Sequence, residues 1–406
     1  MHAPGNGPVF AIYYSILAAF GVPANLMTIV ILSRGRCGLS GCITRYLVSM
    51  AVTDLLVIIT AVILSRLRAI YFPVSFLSTT LGCSLVTVLS YTSRDSSVWL
   101  TVAFTFDRFL AICCQELKMR YCTEKTAAVV IGMVCVLCCL KSIPLYFAYE
   151  PLVIINNVAW YCSLKEMFYV SVPWRMFDWL DCILTPCLPF ILILLLNALT
   201  VRHILVASRV RRRLRAHSNG EKQSDPEIES RRKSIILLFA ISGSFLLLWL
   251  TYVVNFLFVQ ITDNNYSIGS NSNNPMFIRQ ESGYMLQLFS SCTNTCIYAG
   301  TQTKFREELK NAVKYSFNLI SKWHGTITRE YRWKDLGKRR REECEEELFM
   351  QWVIMPWNSL LKKVVEVETI NDMKRKLDRH LKEIKMRARR VADWIALWRA
   401  GMDSNG

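Results

Sequence analysis

Seven uninterrupted apolar stretches, at about 9–32, 43–64, 81–113, 126–147, 179–204, 234–261 and 283–301, constrain this chain more than any other feature. Each reaches the ~20 residues needed to cross ~30 Å of hydrocarbon. Lipid offers no partner for an unpaired backbone group, so the stretches must be helices. The expected fold class is an all-α membrane protein: a short extracellular N-terminus at 1–8, a seven-transmembrane helix bundle at 9–302, a short amphipathic helix at 303–318 and a long charged tail at 319–406. The first stretch is too long for a signal h-region and has Arg34 and Arg36 behind it, which reads as an uncleaved signal rather than a removed leader.

Charge then orients the bundle. Lys and Arg total 48 against 31 Asp and Glu, a net charge of +17, a balance that invites a nucleic-acid reading. Yet 24 of the 48 basic residues lie beyond position 302, and most others sit in short connections, above all the run from Arg209 to Lys233. That distribution follows the positive-inside rule. It predicts an extracellular N-terminus, a cytosolic C-terminus facing anionic membrane lipids, a multi-pass plasma-membrane location and no nucleic-acid partner.

Fifteen cysteines suggest a disulfide scaffold until they are placed, because most fall inside the spans, where a thiol behaves as a small apolar side chain. Cys83 and Cys162 differ. One starts the third span and the other lies in the long loop before the fifth, both on the oxidising side, so a bridge between them is expected. The sequon Asn265-Tyr266-Ser267 falls on the same side and makes Asn265 a glycosylation candidate.

Polar residues within the spans carry the functional signal. The first span holds Gly21-Val22-Pro23-Ala24-Asn25, the second Leu47-Val48-Ser49-Met50-Ala51-Val52-Thr53-Asp54-Leu55-Leu56, and the third ends Asp107-Arg108-Phe109, its arginine 25 residues after Cys83. The fifth has Leu188-Pro189-Phe190 with Asn197 eight residues after the proline, the sixth has Phe245 four before Trp249, and the seventh reads Asn294-Thr295-Cys296-Ile297-Tyr298. In that order these motifs resemble a rhodopsin-like (class A) G-protein-coupled receptor over residues 9–315. Ser142-Ile143-Pro144-Leu145-Tyr146, closing a fourth span without the usual tryptophan, resembles the orphan G-protein-coupled receptor 139 branch. Three positions depart from the family pattern: Phe109 replaces a tyrosine, and Thr251 and Thr295 replace the prolines of the sixth and seventh spans. Fewer prolines predict a smaller activating hinge.

The resemblance implies roles. Asp54, with Ser97, Ser290, Ser291 and Asn294, would form an allosteric sodium site of hard oxygen ligands; the plain alternative is a protonated aspartate in a polar plug. Asn25, Asp107, Arg108, Phe245, Trp249 and Tyr298 would form the activation switch, with Arg108 paired to Asp107 at rest. The acidic residue that often restrains this arginine is replaced by Arg231, which predicts basal signalling unless Glu229 substitutes. The G-protein contact would include Arg108, Arg211, Arg212 and Arg231, and arrestin is a further implied partner.

Ser90 stands where aminergic receptors carry an aspartate, which argues against a monoamine agonist. Deeper on the same span, Arg94 and Asp95 either neutralise each other or engage both charges of an amino-acid-like or short peptide ligand. Tyr91, Asp181, Trp249, Tyr252 and Phe256 would then line the remaining wall.

The resemblance stops before the tail. There Lys338–Arg341 abuts Glu342–Glu347, and apolar residues from Ile370 to Trp398 recur at three- and four-residue steps, predicting an amphipathic helix at 368–399. The tail is either a membrane- or partner-binding segment or the product of a gene fusion. Two other readings of the chain compete with the receptor: a transporter or channel, with Arg94, Asp95 and Lys141 as pathway charges, and a decayed, non-signalling receptor. No HExxH metal motif, phosphate loop or nucleophile elbow points to an enzyme or to a metal beyond sodium.

Overall fold

A computed structural model describes residues 7–72, 75–155, 157–215, 226–262 and 275–327. The Asn265 sequon, the run around residue 220 and the predicted helix at 368–399 lie outside the described residues. Eight long helices account for most of the rest. They are α1 (Gly7–Ser33), α2 (Gly41–Tyr71), α3 (Thr80–Cys113), α4 (Glu124–Ser142), α5 (Val172–Cys182 continuing through Ile183–Cys187 into Leu188–Arg215), α6 (Pro226–Thr262), α7 (Pro275–Thr301) and α8 (Thr303–Ile327).

Local chemistry explains several boundaries. Thr79 and Thr123 cap α3 and α4 by accepting hydrogen bonds from the backbone N–H groups of Gly82 at 3.3 Å and Thr126 at 3.2 Å, each meeting one of the orphan donors of a first turn. Pro144 stands in the tighter 3₁₀ turn Ile143–Ala148 that continues α4. In α5, Pro186 lacks an amide hydrogen, and the backbone there widens to π-helical pairing over Ile183–Cys187. α8 runs to Ile327, nine residues further than the sequence pattern predicts.

Among the described residues six helices, α1 to α6, are long and apolar enough to cross a membrane. α7 matches them in length, at 27 residues, but Arg279 and Glu281 near its start and Gln287, Ser290, Ser291, Thr293, Asn294 and Thr295 along it dilute its apolar character. Packing places it instead. α7 lies along α6, and the two backbones approach so closely at Gly283 that an added Cβ would come within 3.1 Å of the Tyr252 Cα. Its other neighbours are α1, α2 and α8. α4 is peripheral, with Val129, Met133, Val136, Leu137 and Leu140 exposed, as a helix facing lipid should be.

Three apolar clusters fill the bundle. One gathers Leu47, Met50, Leu100, Phe104, Leu237 and Tyr298 around the Arg108 end of α3. A second packs Tyr14, Leu17, Ile58, Val62 and Leu288 between α1, α2 and α7. The third joins Val98, Val102, Ile193, Phe245, Trp249 and Val253 at the centre. Between α4 and α5 the chain forms two antiparallel hairpin pairs, β1 (Tyr149–Glu150) with β4 (Ser163–Leu164) and β2 (Val153–Ile155) with β3 (Val158–Trp160). The disulfide Cys83–Cys162 ties them to the start of α3. Beside it Tyr161 holds a left-handed backbone at φ 59°, a conformation costing a bulky residue on the order of 1 kcal/mol. Its amide donates to the Ser78 carbonyl at 2.6 Å and its carbonyl accepts from the Thr80 hydroxyl at 2.7 Å, so the strain is held by two bonds.

Candidate functional site

Three polar layers thread the apolar bundle, stacked from the end of α3 that carries Arg108 to the end that carries the disulfide. At the arginine end Asp107 and Arg108 are both buried. The Arg108 Nε donates to Asp107 Oδ2 at 2.9 Å, and a second guanidinium N–H reaches the same oxygen. The other carboxylate oxygen accepts from the Cys42 thiol at 3.2 Å. Charge-assisted bonds of this kind are about twice as strong as neutral ones, so the arginine is held along its own helix. Tyr298 is packed edge-on to Phe305 at 5.8 Å, and among the described residues its buried phenol has no hydrogen-bond partner. Arg211, Arg212 and Arg231 stand on α5 and α6, but their side chains lie outside the described residues.

The central layer surrounds Asp54, which is 1% exposed. Its carboxylate accepts from the Ser97 hydroxyl at 2.6 Å and from the Asn294 amide at 2.7 Å. Among the described residues no cationic side chain joins it. Beside it lies a cavity of about 20 Å³, lined by Asp54, Ser97, Thr101, Phe245, Trp249, Ser290 and Asn294 among others, which is room for one water or one small cation. The donor set is all oxygen apart from the Asn294 amide and fits a hard cation such as sodium. Ser290 also accepts from the Trp249 indole N–H at 3.1 Å, so one serine touches both the cavity and the tryptophan, which stacks on Phe245 at 5.1 Å. Ser291 joins the same layer through a side-chain hydrogen bond to Asp54, and its carbonyl accepts from the Asn25 amide at 2.9 Å, tying α7 to α1. Thr295, where the family carries proline, repeats the tie through its hydroxyl, at 2.8 Å from that of Thr28 and 3.1 Å from the Ala24 carbonyl.

The third layer lies one helical turn along α3 towards the disulfide. Asp95 accepts from the Lys141 ammonium of α4 at 2.6 Å and from the Thr185 hydroxyl of α5 at 3.2 Å. Lys141 also pairs with Asp181 and lies 2.5 Å from the Thr185 oxygen. Arg94 meets Asp95 only at 3.4 Å, donates to the Tyr252 hydroxyl at 3.4 Å and places its guanidinium 4.2 Å from the Tyr91 ring. Tyr252 packs edge-on to Trp249 at 5.7 Å and stacks on Phe256 at 5.9 Å. The Ser90 hydroxyl bonds the Val86 carbonyl of its own helix at 2.8 Å.

Reading Arg94 and Asp95 as an isolated pair misses Lys141 as the principal partner of Asp95. A charge count could have found it: two buried carboxylates, Asp95 and Asp181, need two cations, and Arg94 is one. Sequence also gives no hint of a second ion pair near the disulfide end, where Arg66 meets Glu281 at 3.3 Å beneath the Tyr284 ring at 4.8 Å.

Residues 24–298 match the family described as 7 transmembrane receptor (rhodopsin family). Over 300 residues the chain is 24% identical to the C-C chemokine receptor type 1 of Macaca fascicularis, covering 73% of this chain and 77% of that receptor. It is 31% identical to the thyrotropin-releasing hormone receptor of Mus musculus over 117 residues, 29% of each chain. It is 22% identical to the probable G-protein coupled receptor 142 of Mus musculus over 262 residues, 62% of this chain and 60% of that protein. The chain belongs to the rhodopsin family of seven-transmembrane receptors, a family of signalling receptors rather than enzymes.

Proposed function

We propose that this receptor passes the binding of an extracellular small, amino-acid-like or peptide ligand at its disulfide end to a heterotrimeric G protein at its arginine end, with the N-terminus outside and the C-terminus in the cytosol of a plasma-membrane protein. The observation that carries this reading is the continuity of the three layers. Tyr252 of the upper layer touches Trp249, Trp249 bonds Ser290 on the wall of the Asp54 cavity, and α3 runs from Arg94 past Ser97 to Arg108. A ligand that moves the aromatic wall therefore has a packed route to the arginine. Sodium in the Asp54 cavity would hold α2, α3 and α7 together and favour the resting arrangement. The 24 basic residues beyond position 302 suit anionic lipids, and arrestin would share the G-protein face. The chemokine and hormone receptors named above favour a peptide ligand, and the resemblance of Ser142–Tyr146 to the G-protein-coupled receptor 139 branch is compatible with an aromatic amino acid as well as a peptide.

The test is guanine-nucleotide exchange on purified G proteins by the reconstituted receptor, with Arg108→Ala and Asp107→Asn beside the wild type. Exchange above protein-free vesicles, lost in Arg108→Ala and raised in Asp107→Asn, is the expected pattern. No exchange with any G-protein class under a screen of aromatic amino acids and short peptides would leave the signalling reading without support.

A further inference from the structure

The Asp107 carboxylate is claimed from two sides. A guanidinium and a carboxylate ordinarily meet fork to fork, with one hydrogen bond to each oxygen, yet both N–H groups that Arg108 offers fall on the single oxygen Oδ2. The other oxygen is occupied. Oδ1 accepts from the Cys42 thiol, in the first turn of α2, at 3.2 Å. A second thiol arrives from the loop: Cys122, which ends the short helix Gln115–Tyr121 after α3, lies 3.6 Å from the Asp107 backbone carbonyl and hydrogen-bonds the carboxylate as well. Burial, and Asp107 beside it, push the Cys122 thiol up to about 11, so it keeps its proton and donates. The two elements are fastened to each other next to this point, where Arg45 of α2 pairs with Glu124 at 3.1 Å. Neither cysteine is in a disulfide. Among the described residues, Asp107 is the one ion-pair partner of Arg108.

We infer that Cys42 and Cys122 are positioning residues of the arginine switch: their thiols compete with Arg108 for the Asp107 carboxylate, confine the arginine to one oxygen and stay on the acid when the arginine leaves. A buried carboxylate stripped of its arginine and of every other donor is costly. Two thiols already in place lower that cost, and because a thiol is a weak donor they lower it only in part. The strength of the donor at position 42 therefore sets how easily Arg108 is released. Cys42→Ala lets the guanidinium reach both oxygens and tightens the pair, whereas Cys42→Ser supplies a stronger donor of similar shape and loosens it. The inference deepens the receptor reading by naming two further residues of its switch, and it rests on that reading only for the consequence of releasing Arg108.

A double-mutant cycle on the purified receptor in lipid nanodiscs, without G protein, reads the competition directly. Arg108→Gln is made in the wild type, in Cys42→Ala and in Cys42→Ser, and the fall in unfolding midpoint that it causes is measured in each background. The fall should be largest in Cys42→Ala, smaller in the wild type and smallest in Cys42→Ser, with Cys122→Ala displaced in the same direction as Cys42→Ala. An equal fall in all backgrounds overturns the inference, as does the reverse order, which would mean that the thiols orient Asp107 onto the arginine. Nucleotide exchange on purified G protein then reads the consequence: relative to the wild type it should be about two- to fivefold lower in Cys42→Ala and about two- to fivefold higher in Cys42→Ser. Exchange by the wild type that is unchanged in both variants overturns the inference and leaves the receptor reading standing. The expected order of midpoint falls with no exchange by any form overturns the receptor reading alone. Should Cys42→Ala not fold, Cys42→Ser decides the matter by the same two measurements, since a merely structural cysteine would give no gain beyond the wild type.

Discussion

Two aspartates are buried in the same bundle to the same depth and are treated in opposite ways. Asp95 receives a protein cation, Lys141, and the cluster of Arg94, Asp95, Lys141 and Asp181 is neutral as a set. Asp54 receives the neutral donors of Ser97 and Asn294 and a cavity of about 20 Å³. A charge deep in a membrane bundle must be balanced. One site carries its balance in covalent form and is closed. The other leaves room for an ion or a proton and can respond to what surrounds the protein.

Removing the internal cation is the sharpest way to break that contrast. Lys141→Met leaves Asp95 and Asp181 with Arg94 alone, and an uncompensated buried charge costs about 3–5 kcal/mol. Thermal unfolding in nanodiscs should show a large loss for Lys141→Met and a small change for Asp54→Asn, which keeps a hydrogen-bonding amide in place of a carboxylate that has no side-chain cation beside it among the described residues. Similar losses in both variants would mean that Asp54 is balanced as tightly as Asp95.

The disulfide bears on the closed site, since it anchors the start of α3 to the hairpins over the α3–α5 gap. It closes a 79-residue separation, and its removal by Cys162→Ser should cost about 2–4 kcal/mol. Under non-reducing unfolding the wild type should be more stable than Cys162→Ser, and reductant should erase the difference.

Sodium addresses the open site. At roughly tenfold its dissociation constant a bound ion stabilises a fold by about 1.4 kcal/mol. Sodium at fixed ionic strength, exchanged against the bulky N-methylglucamine cation, should raise the unfolding midpoint of the wild type and leave that of Asp54→Asn unmoved. The same sodium response in Asp54→Asn would place the ion elsewhere.

What sequence could reveal follows the same division. The apolar stretches, and the Cys83–Cys162 bridge expected from their polarity, are legible because hydrocarbon thickness and redox side act on each residue type by itself. Asp54 with Ser97 and Asn294 was legible through motif order, and the structure brings these residues to one point. The Asp95–Lys141–Asp181 cluster was not, because its partners sit on three helices whose rotations no single span encodes. Asp95 and Lys141 are 46 residues apart, and only packing turns them face to face. The seventh span reads in sequence as one more apolar stretch, whereas α7 in the structure is the most polar of the long bundle helices, since its bundle-facing side supplies hydrogen bonds instead of apolar surface.

Thr295 offers the finest test. The sequence predicts a reduced hinge here because proline is missing, yet the hydroxyl also binds α7 to α1 through Thr28 and the Ala24 carbonyl. The position therefore does two things that a proline would not: it keeps the backbone N–H and adds a lateral tie. Thr295→Ala removes the tie alone and should cost roughly 0.5–1.5 kcal/mol. Thr295→Pro removes both, and the ring at this point should bend α7. If the tie restrains the switch, Thr295→Ala raises basal nucleotide exchange, Thr28→Ala raises it less, and the double variant adds little to Thr295→Ala, since both changes break the Thr28–Thr295 bond and only Thr295→Ala also loses the Ala24 bond. Additive effects of the two alanines would show that the hydroxyls act separately, and the α1–α7 contact would then be packing rather than a latch.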